Sequence, residues 1–160
     1  MSGGPKLSQP QRLLQRALLL YGRVAKGMTL GVRAVLIKDG HVLLVRHTYV
    51  PGLYLPGGGV EAGETVHEAM TREIREEAGA VLTGPARLFG LYRNMHADRR
   101  DHVALFVCPD WQQPHPPKVP NLEIAAWGMF PLDALPEDAT SASRQRVAEI
   151  IEGREPSPDW

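Results

Sequence analysis

Residues 56–80 read PGGGVEAGETVHEAMTREIREEAGA, and no other part of the chain says as much about its architecture. The second half, 65–78, is rich in Glu, Arg, Ala and Met and stops at Gly79, a residue suited to a left-handed helix cap; the spacing predicts a helix. In Pro56-Gly57-Gly58-Gly59 no regular element persists, and three glycines either make a tight turn or let a backbone approach a ligand closely. Within the helix Glu73, Glu76 and Glu77 stand at i, i+3 and i+4, so their carboxylates share an arc of about 100°. Like charges at these spacings cost roughly 0.2–0.5 kcal/mol per pair, and anions in the last turn oppose the helix dipole. One account is a solvated acidic face, with Glu68–Arg72 and Arg72–Glu76 pairs softening the repulsion. The other is a divalent cation that supplies the missing positive charge; clustered carboxylates without a nearby cysteine select a hard ion such as Mg2+ or Mn2+.

Outward from this stretch the period is mostly that of extended chain. Residues 29–38 and 41–47 are apolar runs joined at Asp39-Gly40, a strong hairpin signal, and a short segment at 53–55 leads into the glycines. Strands are expected at 88–93, 102–108 and 123–130, with a proline-rich surface loop at 110–121 and a final helix at 143–152 closed by Gly153. Hairpin and non-hairpin strands interleaved with helices indicate an α/β fold, a mixed sheet covered on both faces. Near the N-terminus Leu13, Leu14, Ala17, Leu18 and Tyr21 recur at helical spacing, with Arg12, Arg16 and Arg23 largely off that face.

Together the glycine turn and the acidic helix resemble the Nudix box, whose family pattern is G-x5-E-x7-R-E-U-x-E-E-x-G-U, with U aliphatic. Gly58, Glu64, Arg72, Glu73, Ile74, Glu76, Glu77, Gly79 and Ala80 take those places here. Seven fixed positions at about 0.07 each give a chance match on the order of one in a million over a chain this long, so composition alone does not produce the spacing. Ala80 departs from the pattern in being small; Val81 is expected to fill the space behind the helix. The resemblance implies a Nudix-type α/β/α sandwich with a central mixed sheet, expected over 29–153; the periodicity places a basic amphipathic helix in 1–28 before it, and 154–160 is read as a tail.

The resemblance also implies roles. Glu73, Glu76 and Glu77 would bind Mg2+ or Mn2+ with a backbone carbonyl placed at Gly57, Arg72 would orient the carboxylates, and Glu64 would join that network. Family members hydrolyse a nucleoside diphosphate linked to another moiety, with water attacking phosphorus. Glu123, ahead of Trp127, is the candidate for a base or ligand from outside the box, an ordinary strand-end acid being the alternative. Arg33 and Arg46 either reach phosphates from the first two strands or are ordinary exposed strand positions, and Tyr49 or Tyr92 either stacks on a base or packs. The loop 47–52 and the cluster 93–102 flank one end of the expected sheet, where either can hold a base or sugar. The family's ADP-ribose-type proline is replaced by Met95, and the tyrosine of dinucleoside-polyphosphate members is absent too, so neither subclass is supported. A rival from another class is a non-catalytic Nudix-fold module that senses a nucleotide or binds nucleic acid; the intact Glu73, Glu76 and Glu77 set argues against it.

Composition narrows the field. One hundred and sixty residues suit one domain, and 18 basic against 18 acidic residues leave no net charge to attract nucleic acid. The balance is uneven: seven basic residues, Lys6 to Lys38, precede the first acid, Asp39. A surface helix, an organellar presequence or a contact for anionic partners accounts for that, the presequence weakened by the scarcity of serine. The helix is expected to need an apolar surface to cover, and a homodimer is one source. Cys108 lies in an apolar run as a small buried hydrophobe, and no apolar stretch approaches a bilayer span, so the expected place is the cytoplasm and the expected partner a small nucleotide, not a membrane. The six histidines show no metal-ligand spacing and no serine occupies a nucleophile elbow.

Overall fold

The computed structural model describes residues 9–160; the start of the N-terminal segment, Lys6 included, lies outside the described residues. Strands β1 (Thr29–Lys38) and β2 (His41–His47) form the expected hairpin, with Asp39 at φ 49° and Gly40 at φ 71°. Two successive left-handed residues are what a two-residue turn between right-twisted strands requires. The strands pair only beside the turn, at Ile37–Val42 and Lys38–His41, and then part.

The chain itself fills the gap. Val45 and Tyr54 exchange both backbone hydrogen bonds, the Val32 and Ala34 N–H groups donate to the carbonyls of Gly58 and Pro56 at 2.8 and 2.9 Å, and the Val60 N–H donates to Leu30. The glycine turn is thereby wedged into the sheet, with its backbone groups satisfied by strand edges that would otherwise be bare.

β1 runs parallel to β5 (Asp101–Cys108), β4 (Arg87–Arg93) lies antiparallel outside β5, and β7 (Ile124–Pro131) lies antiparallel outside β2. The order β4-β5-β1-β2-β7 is the expected mixed sheet. Two short strands, β3 (Val81–Leu82) and β6 (Trp111–Gln112), pair separately, so the proline-rich loop carries a strand that its composition hides.

Helices cover both faces. On α2 (Val66–Ala78) the side chains of Ala69, Met70, Ile74 and Ala78 pack on Val32, Leu36, Leu43 and Phe106. Thr65 and Glu68 cap its start reciprocally, and Gly79 ends it at φ 61°. Glu68 is engaged with Thr65, so the expected Glu68–Arg72 pair is not made. On the opposite face α3 (Ser141–Ile151), capped by Thr140, sets Val147 and Ile150 over Val35, Val42 and Leu44.

Ala80 is itself in the core, whereas Val81 is exposed and fills nothing behind the helix: the chain enters β3 there and turns the side chain outward. Cys108 is fully buried, and burial pushes its thiol up to about 12. In α1 (Gln9–Ala25) Leu13, Ala17, Leu18 and Tyr21 of the expected apolar face are exposed, as are Leu19 and Leu20, while the side chains of Arg12, Leu14 and Arg23 lie outside the described residues. No helix among the described residues is long and apolar enough to cross a membrane.

Candidate active site

The inward face of α2 is apolar in its first half and acidic in its second. Glu73 and Glu77 continue the stripe of Met70 and Ile74 and are buried with it, at the level where β1 and β2 have parted around the glycine turn. Glu76 turns outward, its side chain 53% exposed. Arg72 organises most of the cluster: Nε and Nη2 grip both oxygens of Glu64 at 2.8 and 3.0 Å, Nη1 donates to Glu73 at 2.7 Å and lies 3.6 Å from Glu76, and Nη2 also reaches the Gly59 carbonyl. This bidentate grip holds the Glu64 carboxyl down at about 2.

Glu77 is the exception. It makes no pair with Arg72; one oxygen accepts the Gly57 N–H at 2.8 Å, and burial pushes the carboxyl up to about 7. Burial also raises Glu73, against the pull of Arg72.

Gly57 is obligatory here, and Gly58 leaves room for the Glu73 carboxylate. A Cβ on Gly57, at φ 144°, would meet the Val32 carbonyl oxygen at 2.0 Å, and one on Gly58 would meet a Glu73 carboxylate oxygen at 2.5 Å. Gly58→Ala is expected to displace the Glu73 carboxylate and lower turnover while changing stability by less than about 1 kcal/mol, that side chain being free to move aside; a urea titration alongside an assay checks both. The Gly57 carbonyl accepts from Arg33 Nη1 at 2.6 Å and keeps its second lone pair.

The residues singled out beyond the box divide. Glu123 stands beside Glu77, joined by a residue the sequence did not signal, His47: donor atoms of the three lie within 4.8 Å of one another. Alternation along β2 puts Leu43, Val45 and His47 on the α2 face, a placement legible in sequence, but nothing local announces their meeting. His47 is 5% exposed, and burial, with Arg33 nearby, lowers its pKa. Tyr49 is 67% exposed, its ring 5.2 Å from that of His47. Arg46 points to the other face and pairs with Asp138. Tyr92 cannot stack on a base: it is fully buried, with its hydroxyl donating to Glu149 at 2.9 Å.

A cleft of about 510 Å³ opens beside the glycine turn, walled by Arg33, Tyr54, Asn94, His96, Ser143 and Trp160. A smaller one of about 320 Å³ shares Arg33, Asn94 and Trp160 and reaches Gly58 and Gly59. Val50 from one expected flank and Asn94, His96 and Ala97 from the other meet in the larger cleft. Trp160 is there because residues 157–160 dock on β4: the Arg93 and Trp160 N–H groups donate to Pro158 and Arg93 carbonyls, and Arg93 pairs with Asp159. Arg146 lies 4.5 Å from the centre of the Tyr92 ring and 5.5 Å from that of Trp160.

A NUDIX domain model matches residues 27–150. The chain belongs to the Nudix family. Over 105 residues it is 37% identical to an ADP-ribose pyrophosphatase of Methanocaldococcus jannaschii, covering 64% of this chain and 58% of that protein. Over 49 residues it is 45% identical to the nucleoside triphosphatase NudI of Salmonella agona, covering 28% and 35%. The chain spans about half the length of the first curated relatives it matches. The crystal structure of a MutT NUDIX hydrolase from Burkholderia pseudomallei superimposes with a TM-score of 0.66 at 28% identity, over 76% of this chain and 97% of that one. The Nudix α/β/α sandwich expected from the box is thus the observed fold, with α2 as the Nudix helix.

Proposed function

We propose that this Nudix protein is a divalent-metal-dependent pyrophosphohydrolase that cleaves a phosphoanhydride in a nucleoside diphosphate linked to another moiety. The substrate classes are nucleotide sugars, ADP-ribose-like molecules and nucleoside triphosphates. The observation that carries this reading is the carboxylate face of α2, where Glu73 abuts a glycine whose backbone also borders the cleft. The similarity to an ADP-ribose pyrophosphatase puts ADP-ribose first among the compounds to test.

By chemistry the donors suit a hard cation: Glu73, Glu76 and Glu77 and the free lone pair of the Gly57 carbonyl are all oxygen. Among the described residues, however, the donors that converge within 4.8 Å are those of Glu77, Glu123 and His47, and Glu76 would have to turn inward to join them. Mg2+ or Mn2+, if held by these residues, would neutralise phosphate oxygens and lower the pKa of a bound water. The remaining work falls to the chain. Arg72 fixes Glu64 and Glu73 in one orientation, and Glu123 adds a carboxylate from outside the helix, as proton acceptor or as ligand. Arg33 spends Nη1 on the Leu55 and Gly57 carbonyls and keeps its other donors for a phosphate in the cleft. Tyr49 is exposed beside the same centre, where it can contact a base.

The test is a panel of nucleoside diphosphate derivatives and triphosphates, incubated with Mg2+ in 18O-labelled water and read by product identification. Label on a phosphate product is expected. Label in a group that carries no phosphate would mean attack at carbon, and no turnover of any compound would favour a nucleotide-sensing module.

A further inference from the structure

His47 is 95% buried by its 5% exposure, yet neither ring nitrogen has a hydrogen-bond partner among the described residues. A buried donor or acceptor left without a partner costs free energy, and such exceptions call for a physical cause. Its Nε2 lies 3.6 Å from Glu77 Oε1, too far for a hydrogen bond. Two donors about 2.1 Å from a shared centre stand roughly 3.0–3.4 Å apart, so a shift of a few tenths of an ångström brings this pair to the spacing of two ligands of one ion. Glu123 supplies a third donor, all within 4.8 Å of one another.

Three elements converge to make this group, and a local irregularity brings two of them together. The β2–β7 register shifts between Arg46 and His47, so that Arg46 opposes Ala126 while His47 opposes Ile124. A bulge of this kind re-aims side chains and ends pairing. Here it sets Glu123 next to His47, and the Thr48 N–H donates to the Glu123 carbonyl at 2.8 Å to hold the turn. The rings of Tyr49 and Tyr54, 5.2 and 5.6 Å from that of His47, wall the imidazole.

We propose that His47, Glu77 and Glu123 form a mixed nitrogen–oxygen cation site, joined to the carboxylates of α2 through Glu77, that prefers Mn2+, Co2+ or Zn2+ to Mg2+. The proposal rests on the metal-dependent reading above and adds to it the nitrogen donor and its consequence for ion choice. An imidazole is a poor ligand for Mg2+, which favours oxygen, whereas affinity for nitrogen rises along the series from Mn2+ to Co2+ and beyond.

The test uses the full chain without nucleotide. Titration of Co2+, followed by its visible absorption and by calorimetry, is expected to weaken at least about tenfold in His47→Gln. Mg2+ affinity, measured in parallel, is expected to change less than about twofold. An unchanged Co2+ spectrum and affinity would overturn the site, as would equal losses for Co2+ and Mg2+, which would leave His47 a packing residue. A second measurement needs no variant: wild type loaded with Mn2+ is expected to show 14N coupling from a directly bound imidazole in pulsed paramagnetic resonance. Absence of that coupling would also overturn it. Phosphoanhydride turnover by wild type without a nitrogen signal would leave the hydrolase reading standing and remove only this one.

Discussion

Glu76→Gln is expected to lower kcat by about 100-fold or more, the scale on which one group serving transition-state charge acts, and to leave the melting temperature nearly unchanged. The asymmetry follows from what each carboxylate of the cluster already does. Glu64 and Glu73 are held by Arg72, and Glu77 accepts the Gly57 N–H. Glu76 has only a 3.6 Å approach to Arg72 and a side chain that is 53% exposed. A purely structural helix has no use for an anion there, near a C-terminal end that disfavours negative charge. Replacing it with Gln disturbs stability by roughly 0.5 kcal/mol or less, as surface changes do. Glu68→Gln is the control: its side chain completes the helix cap with Thr65, and turnover should survive its loss. Steady-state kinetics and melts of the three proteins, each with Mg2+ and again in chelator, decide the matter. Equal losses at Glu76 and Glu68, or undiminished wild-type turnover in chelator, would mean that the acidic face is solvated surface.

Without metal, Glu77→Gln is expected to melt above wild type, by a margin that widens with pH. Burial holds the Glu77 carboxyl at about 7, against about 4.5 for an ordinary glutamate. Between those values the native state binds more protons than the unfolded chain, so stability is fully present below about 4.5 and falls as pH rises towards 7. At about 1.4 kcal/mol per pH unit the difference is on the order of 3 kcal/mol, or roughly 6 °C or more for a chain of this size. His47, with its lowered pKa, acts in the opposite sense below about 6.5, and because it lies 3.6 Å from the substituted carboxyl its contribution differs between the two proteins, so the comparison is read above pH 6.5. The Gln carbonyl can keep the Gly57 N–H bond while its amide donates to the partnerless imidazole. Saturating Mg2+ should reverse the order at pH 8, because an ion bound only by the native state stabilises wild type more. Melts from above pH 6.5 up to pH 8, each with chelator and with Mg2+, check the claim. Wild type melting higher at pH 8 in chelator would show that the Gly57 hydrogen bond outweighs burial.

The hairpin at Asp39-Gly40, the α2 span and its Gly79 stop were legible in the chain because each rests on interactions between residues a few positions apart. So were the box glutamates, whose mutual placement is set by helical pitch alone. The two-residue β3–β6 pair was not, because each strand exists only through a partner some thirty residues away. Nor was the fate of the polar side chains outside the box. Arg33 holds the glycine turn because β1 and β2 part there, Arg46 faces Asp138 across a loop junction, and Tyr92 is sealed under a docked tail with Glu149. His47 shows the difference most plainly. Alternation assigns it a face, but its burial and its approach to Glu77 and Glu123 depend on a register shift between β2 and β7 and on where α2 ends over the sheet. Local spacing settles which groups share a helix face or a strand face; which faces meet, and which polar atoms are left without partners, is settled only when distant elements pack.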